Sequence, residues 1–245
     1  MRLDRFLANM GCGSRNEVKQ MLRSGKVTVN GESVRDGARH IVPRQDRVVC
    51  LDRVIQYREY IYLMLNKPAG VISATEDMRD RTVLDLVDGK YHNKGLFPVG
   101  RLDKDTEGLL ILTNDGDLGH RLLAPKKHVS KRYYAGIAGE VGTREIEAFQ
   151  TGIVLEDGYQ TLPARLELLN SGDFAGMGVS EVIVEIYEGK FHQIKRMMQA
   201  LGKQVIYLKR ISMGGLALDP ALKPGEYREL SEGEIDGLSG AMLRS

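Results

Sequence analysis

The chain has 245 residues of ordinary globular composition with a net charge of +2, and it is longer than a usual single domain of about 100–200 residues, so two domains are expected. No stretch approaches the roughly 20 apolar residues of a membrane span, and charges interrupt the N-terminal M-R-L-D-R-F-L-A-N-M-G where a signal peptide needs an unbroken apolar region. Cys12 and Cys50 form no C-x-x-C pair of the kind that marks a structural zinc site, which leaves a cytoplasmic protein with packing cysteines as the expectation.

Charge is unevenly spread. Residues 1–59 hold 12 Lys and Arg against 7 Asp and Glu, net +5, while residues 60–245 hold 23 against 26, net −3, so the first part is suited to meet a polyanion. Leu3, Phe6, Leu7 and Met10 fall on one stripe of a first helix that Gly11 ends. Ser14-Arg15-Asn16-Glu17 then reads as a capping box, opening a second helix with Val18, Met21 and Leu22 on its buried face. Arg15, Lys19 and Arg23, four apart, line another face as a basic ridge, and Gly25 closes the helix. Lys26 to Val34 alternates as a strand, turns at Asn30-Gly31 and resumes, and Val48-Val49-Cys50-Leu51 supplies a further strand. The polar residues 52–59 read as a linker, placing one domain at 1–59 and the other at 60–245.

In the second part, Tyr60–Leu65 reads as a buried strand and Asn66-Lys67-Pro68-Ala69-Gly70 as a tight turn; Lys67 is assigned to structure because no phosphate-loop spacing surrounds it. The run from Gly100 to Gly116 places Arg101, Asp103 and Asp105 just before Leu109-Leu110-Ile111-Leu112, a strand buried on both faces, so a charged loop is anchored to a rigid element. A short helix is expected from Asp117 to Leu123. The basic run from Pro125 to Arg132 then ends in Tyr133 and Tyr134, a pattern in which cations pair with phosphate while a ring stacks on a base. Gly172, Gly176 and Gly178 mark a loop and Val182–Ile186 a strand. From Glu188 a turn enters a helix with Ile194, Met197, Met198 and Leu201 on its buried side. Lys190, His192, Lys195 and Arg196 sit near that helix's start, against the macrodipole, so a carboxylate or a phosphate must offset them.

Two resemblances follow from these motifs. R-L-D near the start, the capped basic helix and V-T-V-N-G are similar to the S4 RNA-binding domain, which implies structured RNA as partner, met by Arg2, Arg5, Arg15, Lys19, Arg23 and Lys26. G-R-L-D-K-D-T-E-G-L-L resembles the signature of RsuA-type pseudouridine synthases. The resemblance implies Asp103 as the catalytic carboxylate, Tyr133 of the K-x-Y motif as the ring that stacks on the target base, and Lys195 after H-Q-I as the partner of Asp103. It further implies substrate contacts by Arg101, Leu102, Lys131, His192, Arg196 and Leu201. The implied fold is α+β: a small S4-like αα-β domain, then a synthase domain with a mixed, largely antiparallel sheet and flanking helices.

Isomerising uridine to its C-glycoside needs no redox equivalent, metal or cofactor, and none is expected. The G-K-F-H-Q-I-K-R form resembles the small-subunit enzyme, implying 16S ribosomal RNA, a uridine of the 516 type and a monomer acting on a pre-ribosomal particle, with no membrane partner. Three alternatives stay open: a 23S synthase of the same family, a non-catalytic S4-domain assembly factor, and a glycosidase using Asp103 with Asp105.

Overall fold

A computed structural model describes residues 1–57, 60–92, 94–172 and 178–240. Arg58 and Glu59 of the expected linker and Gly176 of the expected glycine-marked loop lie outside the described residues. The chain divides into two compact units, Met1–Tyr60 and Ile61–Ser245.

In the first unit, α1 (Leu3–Asn9) and α2 (Arg15–Arg23) precede β1 (Val27–Val29), β2 (Glu32–Ser33), β3 (Val48–Cys50) and β4 (Arg53–Ile55). The four strands form an antiparallel sheet in the order β2-β1-β3-β4. The Ser14 capping box forms as the sequence predicts, Glu17 N donating to Ser14 Oγ at 3.3 Å and Ser14 N to Glu17 Oε2 at 2.7 Å. Gly11 and Gly25, with φ of 79° and 72°, close α1 and α2 in the left-handed region that a side chain would disfavour. Leu3, Phe6 and Leu7 of α1 meet Val18 and Leu22 of α2 and Val27, Val29, Val48 and Cys50 of the strands in one core. The expected linker is corrected in part, because Arg53–Ile55 pairs with β3. Leu51 and Asp52 make the two-residue turn with φ of 51° and 61°, where sequence reading looks for Asn-Gly, and an exposed edge strand carries no apolar signature.

The second unit contains β5 (Tyr62–Lys67), β6 (Phe97–Pro98), β7 (Glu107–Thr113), α3 (Gly116–Leu123), β8 (Lys131–Ala138), α4 (Thr143–Thr151) and β9 (Arg165–Gly172). It continues through β10 (Val179–Ile186), α5 (Gln193–Ala200), β11 (Gln204–Met213), β12 (Leu216–Ala217), β13 (Tyr227–Glu229) and α6 (Glu232–Gly240). Among the described residues these strands form one nine-stranded sheet in the order β13-β5-β7-β11-β8-β10-β9, with β6 on β7 and β12 on β11. The β7–β11 pairing is parallel and the others are antiparallel, so the sheet is mixed and largely antiparallel. Leu110 and Leu112 join the core under α4 and α5, whereas Leu109 and Ile111 join Leu118, Leu122 and Leu238 under α3 and α6. Helices on both faces explain why this strand reads as an unbroken apolar run. No helix among the described residues is long and apolar enough to cross a membrane.

Register brings the elements of interest to one end of the sheet. Gly108 of β7 pairs with Arg210 of β11, Arg210 with Tyr133 of β8, and Tyr133 with Val184 of β10. A β-carbon at Gly108, whose φ is 100°, would collide with the Arg210 carbonyl oxygen, so glycine is what lets β7 and β11 approach.

Candidate active site

The loop from Arg101 to Thr106 enters β7 and is held mostly through its own backbone. Leu102 N donates to Ser73 Oγ and Ser73 Oγ donates to the Leu102 carbonyl, both at 3.0 Å, while Thr106 N donates to the Asp103 carbonyl at 3.1 Å. Lys67, fully buried at the end of β5, donates its ammonium to the carbonyls of Thr106 at 2.9 Å, Pro68 at 3.0 Å and Lys104 at 3.3 Å. Burial pushes the Lys67 amine down to about 8, against the opposing pull of Asp105 and Asp103. These contacts fix the loop without consuming either carboxylate.

The facing wall is the turn between β10 and α5. Buried Glu188 accepts from Tyr159 OH at 2.6 Å, Leu162 N at 3.0 Å and Gln193 Nε2 at 2.8 Å, and Lys190 N donates to Gln193 Oε1 at 2.9 Å. The network holds His192 at φ 49°, a left-handed conformation that few side chains adopt, with exposed Phe191 stacked on its ring at 3.8 Å. From this turn His192 Nε2 lies 3.5 Å from Asp103 Oδ1, and from α5 Lys195 Nζ lies 3.1 Å from Asp103 Oδ2. Lys195 also donates to Asp105 Oδ1 at 2.6 Å, the shorter of its two bonds. Burial works against the Lys195 charge, but its hydrogen bonds to Asp105 and Asp103 outweigh it and raise the amine above its ordinary value. The same bond to Lys195 holds the Asp105 carboxyl below the usual range.

Between the walls lies an open cleft of about 420 Å³, lined by Arg101, Leu102, Asp103 and Thr106 from the loop, Tyr133 from β8 and Leu208 from β11, and the 186–194 segment. Tyr133 is buried, whereas Tyr134, pointing to the opposite face of β8, packs edge-on against Tyr207 at 5.9 Å. Asp103 keeps 24% of its side chain exposed, against 73% for Asp105. The arrangement brings one partly desolvated carboxylate, one shared ammonium and one ring to a single cleft. Among the described residues no group of three or more His, Cys, Asp or Glu side chains is placed to hold a metal ion.

Asp103, Arg101, Leu102, Tyr133, His192 and Lys195 are thus brought together. Three other expected contacts are not. Lys131 is buried and donates to the Val129 carbonyl at 3.0 Å, its amine pushed down to about 8 first by burial and then by Arg210. Arg196 turns to Asp157 Oδ2 at 2.5 Å, and Leu201 packs at the edge of the core outside the cleft. In the first unit Arg5, Arg15, Lys19, Arg23 and Lys26 are exposed, as is Arg2, which pairs with Asp4 at 2.6 Å.

A family model described as RNA pseudouridylate synthase matches residues 61–200, and one for the S4 domain matches residues 1–48. The chain is 49% identical over 235 residues to an RNA pseudouridine synthase of Bacillus subtilis (strain 168), covering 96% of this chain and 97% of that one. It is 39% identical over 239 residues to ribosomal small subunit pseudouridine synthase A of Vibrio cholerae, covering 96% and 98%. The chain belongs to the RNA pseudouridine synthase family. A solved pseudouridylate synthase superposes with a TM-score of 0.67 at 36% identity, covering 97% of this synthase and 99% of that chain. The enzyme is therefore an isomerase of the RsuA type, an S4 domain followed by a synthase fold.

Sequence reading of this synthase missed Glu188, Gln193 and Asp157, and did not foresee that Lys67 fastens the Asp103 loop. Glu188 and Gln193 bracket the E-G-K-F-H-Q turn, a polar pair flanking an apolar strand and helix, which is the one signal that would have singled them out.

Proposed function

We propose that this synthase isomerises a uridine of ribosomal RNA through the Asp103 carboxylate, with Lys195 as its counter-ion and Tyr133 against the base. The observation that carries the reading is the 3.1 Å contact between Lys195 and Asp103 at the wall of a cleft that also contains Tyr133. A lysine at that distance favours the ionised form of a carboxylate in a site that partly excludes water. In the reaction the bond from C1′ to N1 breaks, the base turns, C1′ joins C5, C5 releases its proton, and N1 ends protonated. The ionised carboxylate starts this either by adding to the sugar or by removing a ribose proton. Because the target base begins stacked in folded RNA, it must first be turned out, and Tyr133 supplies a face to receive it.

Residues 1–59 are assigned to RNA binding and 60–245 to the chemistry, in a cytoplasmic monomer acting on a pre-ribosomal particle. Two features favour 16S ribosomal RNA: the G-K-F-H-Q-I-K-R form, and relatives named for the small subunit at 37–39% identity. The glycosidase reading loses its second carboxylate, since Asp105 is mostly exposed and outside the cleft lining. An assembly-factor reading rests only on the exposed cations of the first unit.

Asp103→Asn is expected to abolish tritium release from C5-labelled uridine in 16S transcripts while RNA binding persists. Substantial turnover by that variant would overturn the role of Asp103, and a wild-type protein that binds without releasing tritium would favour the assembly factor. Carbodiimide mapping of ribosomal RNA from cells lacking the protein locates the uridine.

A further inference from the structure

Two clusters of cations in the second unit differ in their partners. Those at the start of α5 are met by carboxylates: Lys195 by Asp103 and Asp105, Arg196 by Asp157. The second group, Arg121, Lys126, Lys127 and His128, follows from α3 into the turn that precedes β8, and every member is exposed. None of their side chains is paired with a carboxylate among the described residues. Unpaired like charges held on one short segment repel one another, and an external anion relieves that repulsion.

Packing ties this segment to the cleft. Leu123, the last residue of α3, covers Gly100 so closely that a β-carbon there would lie 2.9 Å from Leu123 Cδ2, and Gly100 immediately precedes cleft-lining Arg101. Past the turn, Val129 is buried with Val99 and Leu122, and the chain enters β8, which holds Tyr133 in the cleft. Lys127 and Lys126 lie six and seven positions before Tyr133, spans of at most about 20 and 23 Å at an extended 3.3 Å per residue. Lys126 and Lys127 therefore stand within the length of a few nucleotides of a base seated against Tyr133.

We propose that Arg121, Lys126 and Lys127 form a phosphate-binding strip that holds the RNA strand flanking the uridine in the cleft. The proposal rests on the reading that this chain isomerises uridine in RNA, and it adds where the synthase domain itself grips the backbone. Turning a base out of its stack requires the flanking backbone to stay fixed while the base moves, and phosphate contacts do that without reading sequence.

The test uses the full chain in the Asp103→Asn background, so binding is measured without turnover, with an unmodified 16S ribosomal RNA transcript over a salt series. K126Q/K127Q is expected to weaken binding and to make the slope of log affinity against log salt shallower by about 1.5–2. R144Q, on α4 beyond the opposite end of β8, removes one surface cation away from the strip and is expected to leave that slope unchanged. With Asp103 restored, K126Q/K127Q is expected to raise KM far more than it lowers kcat. An unchanged salt slope in K126Q/K127Q, or an equal change per charge removed in R144Q, overturns the strip. Failure of the wild-type chain to release tritium overturns the catalytic reading instead, and the two results are read from separate assays.

Discussion

Lys195 serves two carboxylates at once, and the division is unequal. Asp105 takes the 2.6 Å bond and Asp103 the 3.1 Å contact, with His192 at 3.5 Å from Asp103 and buried Lys67 nearby. A carboxylate bound tightly to a whole counter-ion is a weak base and a weak nucleophile, so in the reaction proposed above Asp105 would favour Asp103 by drawing part of the ammonium away. Replacing Asp105 with Asn takes a negative charge from beside Asp103 and a counter-charge from Lys195. Without Asp105 the Lys195 ammonium loses its proton more easily, so the alkaline limb of the pH–rate profile is expected to move to lower pH. Asp105→Glu is expected to restore the profile. A lowered rate on an unmoved profile would show that Asp105 only shapes the turn.

At the scale of elements, α6 is fastened by charge as well as by Leu238. Arg228 of β13 donates to Glu234 Oε1 and Oε2 at 2.8 and 2.9 Å and to Asp219 at 2.6 Å. The Arg228 hydrogen bond is the main cause that holds the Glu234 carboxyl down, to about 2 from an ordinary 4.5. A carboxylate whose folded value is depressed contributes stability that is complete above about pH 4.5 and lost as pH falls through about 2. Thermal midpoints measured across that window are expected to fall with acid in the wild type and to fall less in Arg228→Met, which already lacks the pair. Elements of this kind divide what sequence reading could and could not see. The capping box at Ser14, the Asn30-Gly31 hairpin and the buried run of β7 carry local chemical signatures, and each formed where expected. The Asp103 to Lys195 contact was legible only through motif resemblance, since some ninety positions separate the two walls. β4, α4 and β9 were not seen, because exposed or weakly patterned segments take their structure from neighbours in space. The same reason explains Lys131 and Arg196: a cation beside a motif tyrosine or on an amphipathic helix looks available until the sheet or Asp157 closes on it.

For the whole molecule, each unit has its own hydrophobic core, one of them built within about 60 residues and correspondingly marginal. Unfolding followed by calorimetry is expected to show two transitions. Ser14→Ala, which removes the α2 cap, is expected to destabilise the first unit by about 1 kcal/mol and to leave the transition of the second in place. Coincident shifts of both transitions would show that the units unfold as one. The sheet of the second unit adds a constraint in time. Among the described residues its two halves, β13-β5-β7-β6 and β8-β10-β9, are joined by strand pairing through β11, a strand made after all but two of the others in the chain. Until β11 slides between them, a growing polypeptide presents two raw sheet edges and keeps Asp103 and Tyr133 on separate, unjoined pieces. Ribosomes stalled before that point would release fragments prone to stick to one another and unable to touch a uridine, so the catalyst comes into being in a single late step.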